Sequence, residues 1–401
     1  MRVLVTHPGR QHSHQAALAL AEAESLAGYW SGVPALAEQT ARLPRFLRRR
    51  FDRYEPVALP PAQVLWHPQT PALRRLGDAL LPRGAATWVD FWACREFDRW
   101  AARQLARCEK EGSRPAAVLA CEISALTTFR AARRQGMTTL LDAPSLHHQA
   151  QDWLHGTTDS PALHHQVTRI KDLEIELADH ILTVSELARE TYLAAGTEPE
   201  RTHAVMLGAD LDLFTPAEER SGELRFLFVG ATSHRKGFDL LLAAFDRVRS
   251  AAPGVSLRLV GPRGDSFSLL DRPTPHGISS AGPVSQRRLA EEFQQADCLV
   301  LPSRNDSYGM VVAESLAAGR PVLISEMVGA KPLVEPGRNG WIVQAGAVAP
   351  LAEQMLWCVR HRDSVRSMAA ACRRSAEAAT WPAYRRRFSA LLQTLVPVGP
   401  R

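Results

Sequence analysis

Residues 299–325 read Leu299-Val-Leu-Pro-Ser-Arg-Asn-Asp-Ser-Tyr-Gly-Met-Val-Val-Ala-Glu-Ser-Leu-Ala-Ala-Gly-Arg-Pro-Val-Leu-Ile-Ser325. The apolar run that closes at Pro302 predicts a buried strand. The polar stretch Ser303 to Tyr308 with Gly309 predicts a turn, and a helix then runs through Ala318 until Gly319 stops it. A second strand follows at Pro321 to Ile324. A strand, a small-residue turn and a helix start present free backbone N–H groups and a positive dipole end, which together suit a phosphate. Gly309 lets the backbone approach a ligand closely. Asp306 stands at the mouth of the turn and Glu314 two helical turns in. Out of context, the same two acids read as a helix cap and a solvated helix residue.

Working outward, the rest of the chain alternates strands and helices in two halves, which predicts two α/β domains with parallel sheets. In the first half, Val3 to Thr6 is an apolar strand that enters the loop His7-Pro-Gly-Arg-Gln-His-Ser-His14 and a helix from about Gln15. Ala116 to Cys121, Thr138 to Leu141 and His180 to Val184 are further strands, and Ser185 is placed to cap the helix after the last. The second half restarts at Leu224 to Gly230, with strands at Leu257 to Val260, Cys298 to Leu301, Pro321 to Ile324 and Trp341 to Val343. Pro216 to Gly222 reads as the linker. The expected domains are 1–218 and 219–380, followed by a terminal helix over 381–401. In doubly wound sheets, ligands bind at the carboxyl ends of the strands.

Bulk composition narrows the class. The 401 residues are 45% hydrophobic and 22% charged, which is globular and long enough for sizeable cores. Six scattered cysteines form no Cys-x2-Cys pair, so neither a zinc site nor a disulfide framework is expected, and a reducing cytoplasm is. No apolar run approaches the roughly 18 residues of a spanning helix. The start MRVLVTHPGRQ lacks a signal-peptide core. A net charge of +6 favours anionic partners without choosing among them.

The block from Asp306 to Val322 resembles the retaining GT-B glycosyltransferases of family 4, also called glycosyl transferases group 1. Their hallmark is Glu-x7-Glu within E-G-F-G-x-x-x-x-E-A-M-A-x-G-x-P-V. Here the block reads Asp306-Ser-Tyr-Gly-Met-Val-Val-Ala-Glu314-Ser-Leu-Ala-Ala-Gly-Arg-Pro-Val322. Three further segments resemble the family in the same order. They are Phe226 to Gly237 with its Arg235-Lys236-Gly237 ending, the pair Val184-Ser-Glu186 and Leu207 to Phe214, and Thr380 to Leu392. The resemblance implies a GT-B fold, with two Rossmann-like doubly wound domains facing across a cleft and a C-terminal helix crossing back to the first. It also implies that the first acid meets donor sugar hydroxyls, the second holds ribose hydroxyls, and backbone amides and a lysine meet the diphosphate. Those roles fall on Asp306, Glu314, the Gly309, Met310 and Val311 backbone beside Tyr308, and Lys236, with Arg235 beside it. Two departures stand out. Asp306 replaces Glu, and Ala231 stands where many members carry arginine.

The first domain matches less closely, and the resemblance makes it the acceptor side. Its loop His7 to His14 lies where the family faces donor phosphates, which makes Gly9 and Arg10 candidates there. His12 and His14 lack a third ligand at a recognisable spacing, so no metal is expected. The family histidine after the fourth strand is absent. Glu122 is the candidate for polarising the acceptor hydroxyl, His147 and His148 compete with it, and a buried structural role competes for each. Ala41 to Tyr54 places Leu43, Phe46, Leu47, Phe51 and Tyr54 at helical intervals opposite arginines, a pattern that suits an interfacial helix on an anionic membrane face as well as an ordinary packed helix.

The expected activity is therefore transfer of a sugar from a nucleotide-diphosphate sugar to a hydroxyl acceptor, with retention. It needs no metal or cofactor beyond that co-substrate, because Lys236 and the helix start supply the positive charge. The expected location is cytoplasmic, with peripheral membrane contact through 41–54. Three other readings compete with it. A glycosidase pair on one helix would sit roughly 12 Å apart, against the roughly 5 to 9.5 Å that such pairs need. A nucleic-acid binder would need aromatic residues interleaved with a basic patch, and only 7% of residues are aromatic. A catalytically inactive GT-B partner subunit would account for Asp306, Ala231 and the missing histidine.

Overall fold

Short apolar strands alternating with helices close into two all-parallel sheets in the computed structural model. The structure describes residues 1–43, 56–155, 160–217, 221–266, 268 and 277–397. The chain divides into two compact units. One comprises Met1–Thr183, Arg189–Val205 and Tyr384–Arg401, and the other comprises Val184–Ala188 and Met206–Ala383.

The first unit is built on seven strands: β1 (Val3–His7), β2 (Leu26–Ser31), β3 (Val64–Trp66), β4 (Ala117–Cys121), β5 (Thr138–Ala143), β6 (His180–Thr183) and β7 (Thr202–Ala204), in the order β3-β2-β1-β4-β5-β6-β7. All six neighbouring pairs are parallel. The burial of β1 and β4 is continuous rather than alternating, because helices cover both faces of a parallel sheet. The helix Leu126–Arg134 ends before Gly136, whose φ of +68° gives the left-handed turn expected there.

The second unit has six strands: β8 (Arg225–Val229), β9 (Ser256–Val260), β10 (Ile278–Ser280), β11 (Cys298–Leu301), β12 (Val322–Ser325) and β13 (Gly340–Val343), in the order β10-β9-β8-β11-β12-β13. Phe226, Phe228, Phe238, Phe245 and Phe293 are fully buried around this sheet. Each such ring contributes roughly 1.5–3 kcal/mol relative to exposure. Phe214, expected to anchor the linker, is buried with its ring 5.7 Å from that of Phe293.

Chain order reverses beside β1 in one sheet and beside β8 in the other. A crevice therefore opens outside the carboxyl ends of β1 and β4, and another outside those of β8 and β11, the places where such sheets bind ligands.

The terminal helix Trp381–Leu395 packs on the first unit as expected. Arg385 pairs with Glu22 at 2.8 Å and donates to Gln15 at 2.8 Å, Ser389 donates to the Ala19 carbonyl, and Tyr384 and Phe388 are buried. The predicted interfacial stretch 41–54 lies outside the described residues from 44 onward. Among the described residues, no helix is long and apolar enough to cross a membrane.

Candidate functional site

At the carboxyl ends of β8 and β11, two loops are knitted together. The Arg304 amide donates to the Arg235 carbonyl at 2.9 Å, and Arg304 Nη1 donates to the His234 carbonyl at 2.8 Å. Arg304 also forms a bidentate pair with Asp239, on the first turn of the helix Phe238–Ala251, at 2.6 and 2.7 Å. That guanidinium holds the Asp239 carboxyl below its usual range, against the opposing effect of burial. Arg235 points back to the Asn305 carbonyl at 3.2 Å. The two loops are thus bonded into one piece, which carries Lys236.

Lys236 Nζ is ion-paired with Asp306 Oδ2. Both side chains are largely buried, at 14% and 9% exposure. The lysine stem passes over Gly230, where an added Cβ would stand 3.8 Å from it. The Asp306 backbone is fixed on both sides, its amide donating to the Met327 carbonyl and its carbonyl accepting from the Gly329 amide, each at 2.9 Å.

The helix Met310–Ala317 begins at Gly309, whose φ of +84° is open to glycine and strained for other residues. A Cβ there would also meet Val328 Cγ1 at 2.7 Å. The first-turn amides of Met310 and Val311 have no carbonyl within the helix to bind, by the geometry of any helix start. Tyr308 is turned inward, and its hydroxyl donates to the Leu207 carbonyl at 2.6 Å. Ser185, the predicted cap, accepts from the Ala188 amide at 3.0 Å and donates to the Ser307 carbonyl at 2.5 Å.

Glu314 completes this group. It is 5% exposed, its Oε2 has no hydrogen-bond partner among the described residues, and burial lifts its carboxyl to about 7. A buried carboxyl oxygen with nothing to accept from is open to a hydroxyl donor. Lys236 and Asp306 are in direct contact, and the Met310–Ala317 helix that follows Asp306 carries Glu314 on its second turn.

In the first unit, the corresponding edge carries histidines. His12 Nε2 lies 3.0 Å from Asp142 Oδ1, and the charge and hydrogen bond of Asp142 outweigh burial to raise the imidazole above its ordinary range. His7 accepts the Gly9 amide on Nδ1 at 2.8 Å, and burial holds it down to about 4. Burial together with Arg10 takes His14 to about 3. Ligand atoms of His7, Cys121 and Asp142 lie within 4.8 Å of one another, as do those of His147, His148 and Asp172. In the first group the Gly9 amide occupies His7 Nδ1 and His12 occupies one oxygen of Asp142, while His7 Nε2 has no hydrogen-bond partner among the described residues.

Glu122 has two close partners, a hydrogen bond on one oxygen and an ion pair on the other. Ser145 donates to Oε1 at 2.6 Å, and Lys171 Nζ lies 2.9 Å from Oε2. The next residue, Ile123, has a φ of +69°, which is strained for a β-branched side chain. Glu174 holds the turn by accepting the amides of Ile123, Ala125 and Leu126 at 2.6, 2.8 and 3.0 Å. Asp98 accepts those of Thr127 and Thr128. Burial pushes the Glu174 carboxyl up to about 8, against those backbone bonds.

Residues 223–361 match the model of the family described as glycosyl transferases group 1. That match covers about a third of the chain. The chain is similar to the D-inositol 3-phosphate glycosyltransferase of Gordonia bronchialis, at 30% identity over 232 residues, which is 52% of this chain and 50% of that one. Its counterpart in Rhodococcus erythropolis is 28% identical over 221 residues, 50% of each chain. The chain thus spans about half the length of these curated relatives. Among solved structures, sucrose-phosphate synthase from Thermosynechococcus elongatus is similar with a TM-score of 0.73 at 18% identity, over 98% of this chain and 99% of that one. HepE from Anabaena, solved with UDP and glucose, gives 0.68 at 15% identity over 98% and 100%. These likenesses show the GT-B fold of two Rossmann-like domains.

The second unit carries Lys236, Asp306, Gly309, Met310, Val311 and Glu314. Arg235 and Tyr308 adjoin them, the first giving one guanidinium nitrogen and the second its hydroxyl to a backbone carbonyl. Gly9 and Glu122 belong to the first unit. Sequence reasoning missed Arg304, Asp239, Asp142, Lys171 and Glu174. For Arg304 a signal existed, as a charged residue inside the decisive loop. For the others, partners 65 to 130 positions apart or isolated on helices left none.

Proposed function

We propose that the chain transfers a sugar from a nucleotide-diphosphate sugar to a hydroxyl acceptor, with retention and without a resident metal. The observation that carries this reading is the constellation at the ends of β8 and β11: a buried lysine, a glycine-led helix start and a buried carboxyl with an unpartnered oxygen. In the transfer, the acceptor oxygen bonds to the anomeric carbon while the bond from that carbon to the diphosphate oxygen breaks. The nucleoside diphosphate leaves with the electron pair, and an oxygen of that leaving phosphate takes up the acceptor's hydroxyl proton. Lys236 and the amides of Met310 and Val311 stabilise the charge growing on the leaving phosphate, where a preorganised cation counts most. Glu314 accepts from ribose hydroxyls and Asp306 from sugar hydroxyls. Retention rests on the family resemblance.

Uridine nucleotides come first as donors, since HepE was solved with UDP and with UDP-glucose. The curated relatives' names put D-inositol 3-phosphate in the acceptor panel. Membrane contact through 41–54 is part of the proposal, and failure to bind anionic liposomes at low salt removes that part.

A thermal-shift panel of UDP-, GDP-, ADP- and CMP-sugars tests the donor reading, with EDTA present throughout. A site at 100 times its Kd adds about 2.7 kcal/mol. Lys236→Ala should abolish the shift. No shift with any nucleotide would favour the inactive-partner reading, and a shift that survives Lys236→Ala would remove the phosphate assignment.

A further inference from the structure

In the free site the lysine assigned to the diphosphate is already neutralised. Lys236 is ion-paired with Asp306, both side chains are largely buried, and the Asp306 backbone is tied to Met327 and Gly329. Asp306 therefore cannot follow the lysine when a phosphate draws it away. A bare nucleoside diphosphate that takes Lys236 leaves Asp306 buried, charged and facing an added anion. That combination is disfavoured, because a buried carboxylate stripped of its cation loses far more than a surface one.

A nucleotide sugar is different. Its hydroxyls are donors, and they give Asp306 the hydrogen bonds that the departing ammonium took away. Building on the donor reading above, we infer that the Lys236–Asp306 pair makes the site select nucleotide sugar over free nucleoside diphosphate, so that Asp306 determines specificity between substrate and product. The pair opens when the sugar arrives and closes again when the sugar has gone. Closure returns Lys236 to Asp306 and favours release of the spent nucleotide.

The aspartate is suited to this. Its side chain is one methylene shorter than the glutamate of the family pattern, and it reaches Lys236 from a fixed backbone. Asparagine at 306 keeps the size, loses the charge and frees the lysine.

The test is direct binding by calorimetry of UDP, GDP and ADP, each against its glucose ester, to the wild type, Asp306→Asn and Asp306→Glu, with Asp306→Ser as a second neutral variant. The wild type should bind the sugar ester more tightly than the bare nucleotide. In Asp306→Asn the bare nucleotide should gain affinity while the ester does not. The selectivity ratio should fall by about ten- to a hundredfold, the range expected for one hydrogen bond to a charged group. Asp306→Glu should keep the preference. Bare nucleotide bound equally by the wild type and both neutral variants would overturn the inference while leaving the donor reading standing. No binding of any nucleotide to the wild type would overturn the donor reading, and the inference with it.

Discussion

Replacing Glu314 with glutamine keeps the shape of the side chain and removes the charge that burial disfavours. The carboxyl is lifted from 4.5 to about 7 by desolvation alone. A folded pKa above the unfolded one means that the fold holds the extra proton between those two values. Stability is therefore intact below pH 4.5 and declines as pH rises towards 7, after which the loss is complete. At about 1.36 kcal/mol for each pKa unit, the loss in the wild type is about 3 kcal/mol. Glu314→Gln escapes it. The variant should match the wild type near pH 4.5 and exceed it at pH 8 by up to about 3 kcal/mol, or roughly 6–12 °C in the Tm of the second unit. It should also bind donor about ten- to a hundredfold more weakly, having lost the charge that strengthens a ribose hydrogen bond. Urea unfolding at pH 5 and pH 8, paired with nucleotide titration, reads both effects. A variant less stable than the wild type at both pH values would refute the reasoning, because it would mean that Glu314 serves a structural partner rather than an open site.

Two further outcomes follow from the geometry. Glu174→Ala strands the amides of Ile123, Ala125 and Leu126 under a strained turn, and should destabilise the first unit by at least about 3 kcal/mol. Differential calorimetry should show that unit's transition fall, and an unchanged transition would mean that the turn holds itself. Arg304→Ala cuts the bidentate tie to Asp239 and the link to the His234 carbonyl. It should weaken donor binding about tenfold, with a change of only about 1 kcal/mol in stability, since both partners of the pair are partly solvated. Unaltered nucleotide affinity would show that the Lys236 loop keeps its place unaided.

The block 299–325 was legible because its features are local: an apolar run, a glycine where left-handed backbone is needed, and two acids at a fixed interval, one in the turn and one on the helix that follows. The main strands of both sheets were readable for the same reason. Four strands were not. Leu26–Ser31 has glycine and two aromatic residues in place of an aliphatic run, and Val64–Trp66, Thr202–Ala204 and Ile278–Ser280 are three residues each, too short for a pattern to register. The sites divide in the same way. Lys236 and Glu314 sit in motifs, whereas the Glu174 clamp on Ile123 spans 51 positions and is set by tertiary packing. The partners of Glu122 were equally out of reach of the sequence, since Ser145 donates to its Oε1 across 23 positions and Lys171 pairs with it from a separate helix.

The central claim is that a nucleotide-diphosphate sugar sits on Lys236, the Gly309 helix start and Glu314. A crystal structure of the protein grown with UDP-glucose, or with whichever nucleotide sugar gives the largest thermal shift, tests it most directly. The account predicts diphosphate oxygens about 2.7–3.1 Å from Lys236 Nζ and from the Met310 and Val311 amides, with both ribose hydroxyls on Glu314 and the Lys236–Asp306 pair opened. Nucleotide bound elsewhere, or bound with Lys236 still on Asp306 and Glu314 untouched, would contradict it.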